Sequence, residues 1–150
     1  MNRLTKHRAA AAALALCACA CATAAFAHGT TESCSAATLQ GTYVFAASGY
    51  SLIGGVWSPK AIVESMRFNG DGTLSVLSST LANLTGNGAV IQVPPGGAGT
   101  YALNPDCTGT LSFVPGPTFA VVATPKGDDA WMIQANPNNV FQGSVRRLAK

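Results

Sequence analysis

Few side chains in this chain could do chemistry near neutral pH, and the sequence keeps them apart. After residue 27 there is one histidine, His28, and there are two cysteines, Cys34 and Cys107. A Ser-His-Asp or Cys-His mechanism needs a base held beside its nucleophile. A copper site at an amino-terminal histidine would need a second histidine. We therefore predict no catalytic residue, no metal and no cofactor, and expect His28 to belong to a disordered amino terminus.

Glu64 is the ionisable residue whose position in the sequence is most informative about a possible functional site. The alternation in "AIVESMRFN" (61–69) places four residues on one face of a strand: Ile62, Glu64, Met66 and Phe68. If that face lines an interior, the carboxylate must pair with Arg146 or Arg147 or have a raised pKa. Its functional interpretation is a ligand anchor or an acid/base group. The alternative, which we favour, is a structural ion pair or a residue at a barrel end that reaches water.

Two aromatic residues are candidates for ligand contact together with Glu64. Tyr50 and Trp57 lie in "GYSLIGGVWSP" (49–59), which we interpret as an irregular segment at a barrel mouth. Loops in such places often carry binding residues. Tyr43, Tyr101 and Trp131 could also line a ligand pocket, but we expect them in the core of the strands.

Residues 1–27 have the pattern of a secretory signal peptide. A basic start, "MNRLTKHR", precedes an uncharged apolar run that ends in Ala25-Phe26-Ala27. Small residues at these spacings are typical of signal-peptidase sites, so we predict cleavage after Ala27 and a periplasmic or extracellular protein. The alternatives are an uncleaved membrane anchor and a lipoprotein anchored through Cys19.

Removal of this segment changes the charge of the chain. The full sequence has nine basic and six acidic residues, and three of the basic ones precede residue 28. The remaining chain is therefore neutral in formal charge. A nucleic-acid-binding role loses its support, because such proteins need a basic face to displace counterions from phosphates.

Cys34 and Cys107 predict one disulfide in an exported chain. Cys107 lies at the tip of the predicted hairpin "TYALNPDCTGTLSF" (100–113), and the bridge would close a loop of about 73 residues, worth roughly 4 kcal/mol in the chain-entropy treatment. A redox pair or a pair of metal ligands is the other interpretation. It has no C-x-x-C motif and no adjacent histidine to support it.

The chain after residue 27 predicts an all-β fold. Sixteen glycines and eight prolines separate short runs rich in Val, Thr, Phe, Tyr and Leu, which is typical of strands in a meander. We expect a polar lead-in at 28–38 along the outside, followed by one domain at 39–150. Its eight or nine antiparallel strands would close into a barrel, with a β-sandwich as the alternative.

Four stretches also resemble a group of small exported bacterial proteins without assigned activity. They are "LQGTYVFAASG", "FNGDGTL", "GTYALNPDCTGTLSF" and "FQGSVRRL". The resemblance implies a calycin-like barrel of the lipocalin, avidin and allene-oxide-cyclase type. It implies no binding residues.

The sequence leaves three functions open. The first is a non-enzymatic binding module for a small apolar ligand or an envelope partner, which we favour because groups suited to proton transfer are scarce. The second is a barrel-type isomerase or cyclase that uses Glu64. The third is a structural envelope protein. An open apolar lumen would favour the first, Glu64 beside an arginine the second, and a lumen filled by Phe, Met and Leu the third.

Overall fold

The computed structural model describes residues 33–83, 90–93 and 95–149. Within them a short 3₁₀ helix (Ala36–Thr38) precedes nine strands. The strands are β1 (Gln40–Ile53), β2 (Val56–Asn69), β3 (Thr73–Asn83), β4 (Val90–Val93), β5 (Ala98–Leu103), β6 (Thr108–Val114), β7 (Thr118–Ala123), β8 (Asp129–Gln134) and β9 (Asn139–Ala149). The predicted signal peptide, Cys19 and His28 lie outside the described residues.

Eight of these strands close into an antiparallel barrel. The hydrogen-bonded order is β2-β1-β9-β8-β7-β6-β5-β3, and β2 also pairs with β3, which joins the ends. The ninth strand, β4, pairs with the far half of β3 at Ser79–Ala82, whereas β5 pairs with the near half at Thr73–Ser75. The predicted all-β meander and barrel are confirmed, and the two-sheet sandwich does not form.

The sequence predicted an irregular segment at 49–59, and this prediction is wrong. β1 and β2 continue in register through it to Ile53 and Val56, joined by a two-residue turn. Gly54 and Gly55 both have positive φ, 57° and 80°. That combination is the turn that matches the twist of a tight hairpin, and glycine adopts it without steric cost. Tyr50 and Trp57 therefore lie on strands.

The two ends of the barrel differ, and we name them here. The lower end holds the β2–β3, β5–β6 and β7–β8 turns, and Thr42 near the start of β1 pairs there with Ala149 of β9. The mouth is the opposite end, with the β1–β2 and β8–β9 turns. From the lower end to about mid-height the lumen is filled by apolar side chains, which include Tyr43, Phe45, Met66, Phe68, Leu111, Phe119 and Val145.

The described part of the lead-in, residues 33–38, lies across the lower end of the barrel. Ala36 packs against the core, and its carbonyl is 2.9 Å from the Tyr101 hydroxyl. Leu39, which follows the lead-in, is 1 % exposed, and its carbonyl accepts from the same hydroxyl at 2.7 Å. The sulfur atoms of Cys34 and Cys107 are at bonding distance, with their Cα atoms 4.9 Å apart. The predicted Cys34–Cys107 pairing is thus present, and it fastens the lead-in to the β5–β6 turn.

Candidate functional site at the barrel mouth

Above the packed core, the inward side chains of β2 become polar. Because successive residues of a strand alternate in direction, Ser58, Lys60, Ile62 and Glu64 share the inward face with the core residues Met66 and Phe68. Lys60 and Glu64 are four residues apart, which separates their Cα atoms by roughly 13 Å in an extended strand. One strand thus brings a potential cation and a potential anion to the same interior surface.

Glu64 lies at mid-height, where β2 is flanked by Phe45 of β1 and Ser79 of β3. The Ser79 hydroxyl donates to Glu64 Oε1 at 2.8 Å, and Ser79 is itself buried. Burial raises the pKa of the Glu64 carboxyl, while the Ser79 hydrogen bond acts in the opposite direction. The residue therefore faces the interior, as its strand pattern predicted.

The prediction that Arg146 or Arg147 could pair with Glu64 is wrong. Arg146 points outward and pairs with Asp129 at 3.0 Å. Arg147 is used at the lower end, where its guanidinium donates to the Thr38 and Gly127 carbonyls at 3.0 and 2.9 Å. Both arginines fall near the end of β9, which pairs with the start of β1, so the register takes them away from Glu64.

Lys60 lies nearer the rim, at the top of the packed lumen. Its ammonium donates to Gln134 Oε1 at 3.1 Å and Asn139 Oδ1 at 3.3 Å. It also lies 4.2 Å from the centroid of the Phe141 ring. Burial lowers the pKa of Lys60, since the charged form loses water there.

Gly49 makes room for this lysine. The register places Gly49 of β1 between Lys60 of β2 and Phe141 of β9. A Cβ at position 49 would collide with the Val140 carbonyl, so the backbones approach too closely for any side chain. With no side chain between them, the lysine stem can reach across β1 to the aromatic ring.

A ring of neutral polar groups completes the mouth. Ser51 donates to Asn139 Oδ1 at 2.8 Å, and the Thr118 backbone N–H donates to Asn136 Oδ1 at 2.7 Å. Sequence reasoning missed Lys60, although extending the alternation of Glu64 by four residues would have placed it on the same face. Gln134 and Asn139 gave no signal, because they meet Lys60 only through barrel closure.

The other two predicted contact residues do not join this site. Tyr50 and Trp57 point outward from β1 and β2 and are 51 % and 50 % exposed. Glu64 points inward from β2, so the barrel wall separates it from both aromatic rings. The structure therefore divides the predicted set between the mouth and an outer surface.

The mouth can offer one positive and one negative group to a ligand. Among the residues described, the ion pairs are Arg146–Asp129 and Arg147–Asp128, both at the lower end. Neither Lys60 nor Glu64 has an oppositely charged partner in that part of the chain. The same residues contain no cluster of three or more His, Cys, Asp or Glu side chains that could hold a metal ion.

Comparison of the chain with protein-family models, curated proteins and solved structures finds no match. Within the described ranges, no helix has the length and apolar character needed to cross a membrane. The Cys34–Cys107 pair indicates a compartment that is not reducing, because cytosolic thiols are kept reduced.

Proposed function

We propose that this protein is an exported, calycin-like binding module without enzymatic activity, and that it takes a small amphipathic molecule at the barrel mouth. The ligand would place an anionic or hydrogen-bond-accepting head at Lys60. Its apolar body would lie toward Ile62 and Phe141, and a hydroxyl or amine along that body would donate to Glu64.

The observation that carries this proposal is the unpaired state of Lys60 and Glu64 within the described residues. Charged groups taken from water without an ionic partner destabilise a fold. Within the part of the chain that the structure describes, Lys60 donates hydrogen bonds to neutral side-chain oxygens only, and Glu64 accepts one from a hydroxyl. A ligand with complementary groups would offset that cost.

The filled lower lumen limits where such a ligand could lie. Phe45, Phe119 and Met132 belong to one continuous core, so a deep lipocalin-like cavity is not part of the proposal. This packing also supports the structural-protein alternative for the lower half. The isomerase alternative keeps one supporting observation, the raised pKa of Glu64, but it has lost the arginine that was expected beside it.

The test is calorimetric titration of the disulfide-bonded protein with decanoate, decylamine and decanol. Decanoate should bind because its carboxylate meets Lys60, and the Lys60→Met variant should lose that binding while keeping the apolar surface. Decylamine should bind less well than decanoate and should depend on Glu64, which Glu64→Gln would reveal.

Lys126→Met is the matched control, since Lys126 is an exposed lysine at the lower end. It should bind decanoate as the unmodified protein does. Equal affinity of the unmodified protein and Lys60→Met for decanoate would contradict the proposed head-group site. Absence of binding for all three probes would favour the structural alternative.

A further inference from the structure

The end of the β1–β2 hairpin extends past the strand beside it. β9 begins at Asn139, which pairs with Ser51 of β1, whereas β1 and β2 continue together to their two-residue turn. On the other side, the described pairing of β3 with β2 ends at Asn83. We call residues 52–57, with the sequence Leu-Ile-Gly-Gly-Val-Trp, the tip. A Cβ added at either glycine of its turn would meet no described atom within 4 Å.

The tip is apolar on both of its faces. Leu52 pairs with Trp57 on the outward face, and Ile53 pairs with Val56 one residue further along, on the opposite face. Ile53, Val56 and Trp57 are 40 %, 64 % and 50 % exposed. A surface hairpin ordinarily has one apolar face against a core and one polar face in water. In the tip, the indole N–H of Trp57 is the one polar side-chain group, so covering a single face would still leave apolar side chains in water.

Exposed charge is concentrated at the opposite end of the barrel. No Asp, Glu, Lys or Arg occurs between residues 33 and 59, a range that includes the tip. The molecule therefore has an apolar end and a charged end along one axis. The exposed charged side chains of the described chain, all at the lower end, are Arg67, Asp71, Asp106, Lys126, Asp128 and Arg146.

The residues next to the tip are suited to a boundary between lipid and water. Ser51 and Ser58 form the first pair below it, and the half-exposed Tyr50 follows. Tryptophan and tyrosine are enriched where proteins pass from hydrocarbon into the headgroup region, because each ring is apolar and carries one polar group. Tyr50 lies three residues before the end of β1, about 10 Å along an extended strand. That length matches the depth to which interfacial apolar segments enter a bilayer.

We propose that the tip inserts into the surface of a lipid bilayer, with the barrel mouth facing the membrane and the charged lower end in water. A bilayer surrounds an inserted hairpin and covers both apolar faces at once, whereas the flat surface of a protein partner would cover only one. The apolar area is small and partly covered already. Binding should therefore be weak and reversible, as it is for a single interfacial anchor.

This inference does not rest on the proposed ligand site. The tip shares no hydrogen bond with Lys60, whose described partners are Gln134 and Asn139. Lys60→Met should still bind vesicles although it loses decanoate. A protein that binds decanoate but no vesicles would contradict the membrane proposal alone, so the two failures can be told apart.

The experiment is flotation of the exported, disulfide-bonded protein with phosphatidylcholine vesicles in a density gradient. Val56→Asp places a charge at the tip and should lower the partition coefficient at least about tenfold. In a Trp131→Phe variant Trp57 is the remaining tryptophan, and its emission should shift to the blue when vesicles are added. Added salt should leave the binding unchanged, because the tip has no charge to screen.

Leu148→Asp is the matched control. Leu148 is 63 % exposed, close to the 64 % of Val56, but it lies near the end of β9 at the lower end. This variant should bind vesicles as the unmodified protein does. Both variants keep the same amino-terminal segment, so any contribution of that segment to lipid binding cancels in the comparison.

Three results would overturn the proposal. The first is no flotation of the unmodified protein, and the second is an equal partition coefficient for Val56→Asp and Leu148→Asp. The third is binding that requires anionic lipid and disappears in salt. Self-association that Val56→Asp abolishes, in the absence of vesicle binding, would assign the tip to a second copy of the chain instead.

Discussion

The lower end and the mouth of this barrel handle polar groups in opposite ways. At the lower end the Arg147 side chain is almost fully buried, yet it donates to Tyr43 Oη and to three backbone carbonyls, and Asp128 lies 3.6 Å from it. Toward the mouth, Lys60 near the rim and Glu64 at mid-height are also drawn from water, but the described residues that hydrogen bond to them are all neutral. The lower end is thus built for stability, whereas the mouth retains groups that a ligand could use.

The difference comes from what covers each end of the barrel and not from the strands themselves. Both ends belong to the same meander, and inward residues occur at every second position throughout. At the lower end the helix Ala36–Thr38 and the disulfide add a covering layer that supplies acceptors. The mouth has no such layer among the residues described. The comparison predicts that substitutions at the lower end cause large losses in the free energy of unfolding, whereas substitutions toward the mouth cause small ones.

Removal of the disulfide should have the largest effect. Cys34→Ser/Cys107→Ser frees a loop of 73 residues, and we expect a loss of about 4 kcal/mol in the free energy of unfolding. Urea denaturation of the oxidised protein and the double variant measures it. A loss below about 1 kcal/mol would mean that the lead-in is held by its hydrogen bonds and by burial of Leu39 alone.

Arg147→Met should be the next most damaging change. It leaves the carbonyls of Thr38 and Gly127 without this donor, which we expect to cost about 2–4 kcal/mol. Arg146→Met is the matched control on the adjacent residue. Its exposed pair with Asp129 should contribute at most about 1 kcal/mol. Equal losses from the two substitutions in urea denaturation would show that the lower end is not organised by Arg147.

The third prediction concerns pH. A substitution toward the mouth and one at the lower end should change stability in opposite directions as pH rises. The raised pKa of Glu64 means that its stabilising, protonated state is complete below the ordinary value of 4.5 and is lost as pH rises through the folded-state pKa. Glu64→Gln should therefore gain stability relative to the unmodified protein as pH rises through this window. Urea unfolding at a series of pH values gives the difference.

Asp71, at the lower end, should contribute to stability with the opposite dependence on pH. Hydrogen bonds from Thr73 lower the pKa of its carboxyl below 3.8, so its contribution is present above that value and is lost as pH falls. Asp71→Asn should lose stability relative to the unmodified protein as pH rises from the acid range. If Glu64→Gln and Asp71→Asn both gained, or both lost, stability relative to the unmodified protein as pH rises, the proposed distinction between the two ends would be wrong.

Lys60→Met should have the smallest effect on stability. Methionine keeps an unbranched apolar stem over Phe141, and removal of the ammonium relieves its desolvation, so we expect a change within about 1 kcal/mol. The lowered pKa of Lys60 implies that the unmodified protein gains stability as pH rises toward 10.5, a gain that the variant lacks. Thermal unfolding at several alkaline pH values would show it. A loss comparable to that of Arg147→Met would give Lys60 a structural role.

The sequence predicted those features that depend on local alternation or on single residue types. The inward face of Ile62, Glu64, Met66 and Phe68 and the pairing of Cys34 with Cys107 are confirmed. The sequence does not predict the extent of the first hairpin, because its glycines favour an irregular segment at 49–59, whereas the strands continue through it to a two-residue turn at Gly54-Gly55.

The hydrogen-bond partners of Lys60 at the mouth could not be predicted from the sequence. Gln134 comes to Lys60 only because β8 and β9 close onto β1, and that closure depends on register across several strands. A one-residue change of register would reverse every inward residue, so spacing along the chain cannot identify such contacts. The same reason explains why Arg146 and Arg147, correctly placed on the last strand, do not meet Glu64.

One property of the lower end bears on how the molecule can be attached. The lead-in before β1 and the end of β9 both leave the barrel there, beside the disulfide. A tether joined through the lead-in or through the end of β9, whether an affinity tag, a fused domain or a lipid on a cysteine upstream of Cys34, would be connected to the barrel at its lower end. Lys60 and Glu64 would then face away from the support, which makes the protein suitable for oriented immobilisation on a sensor surface.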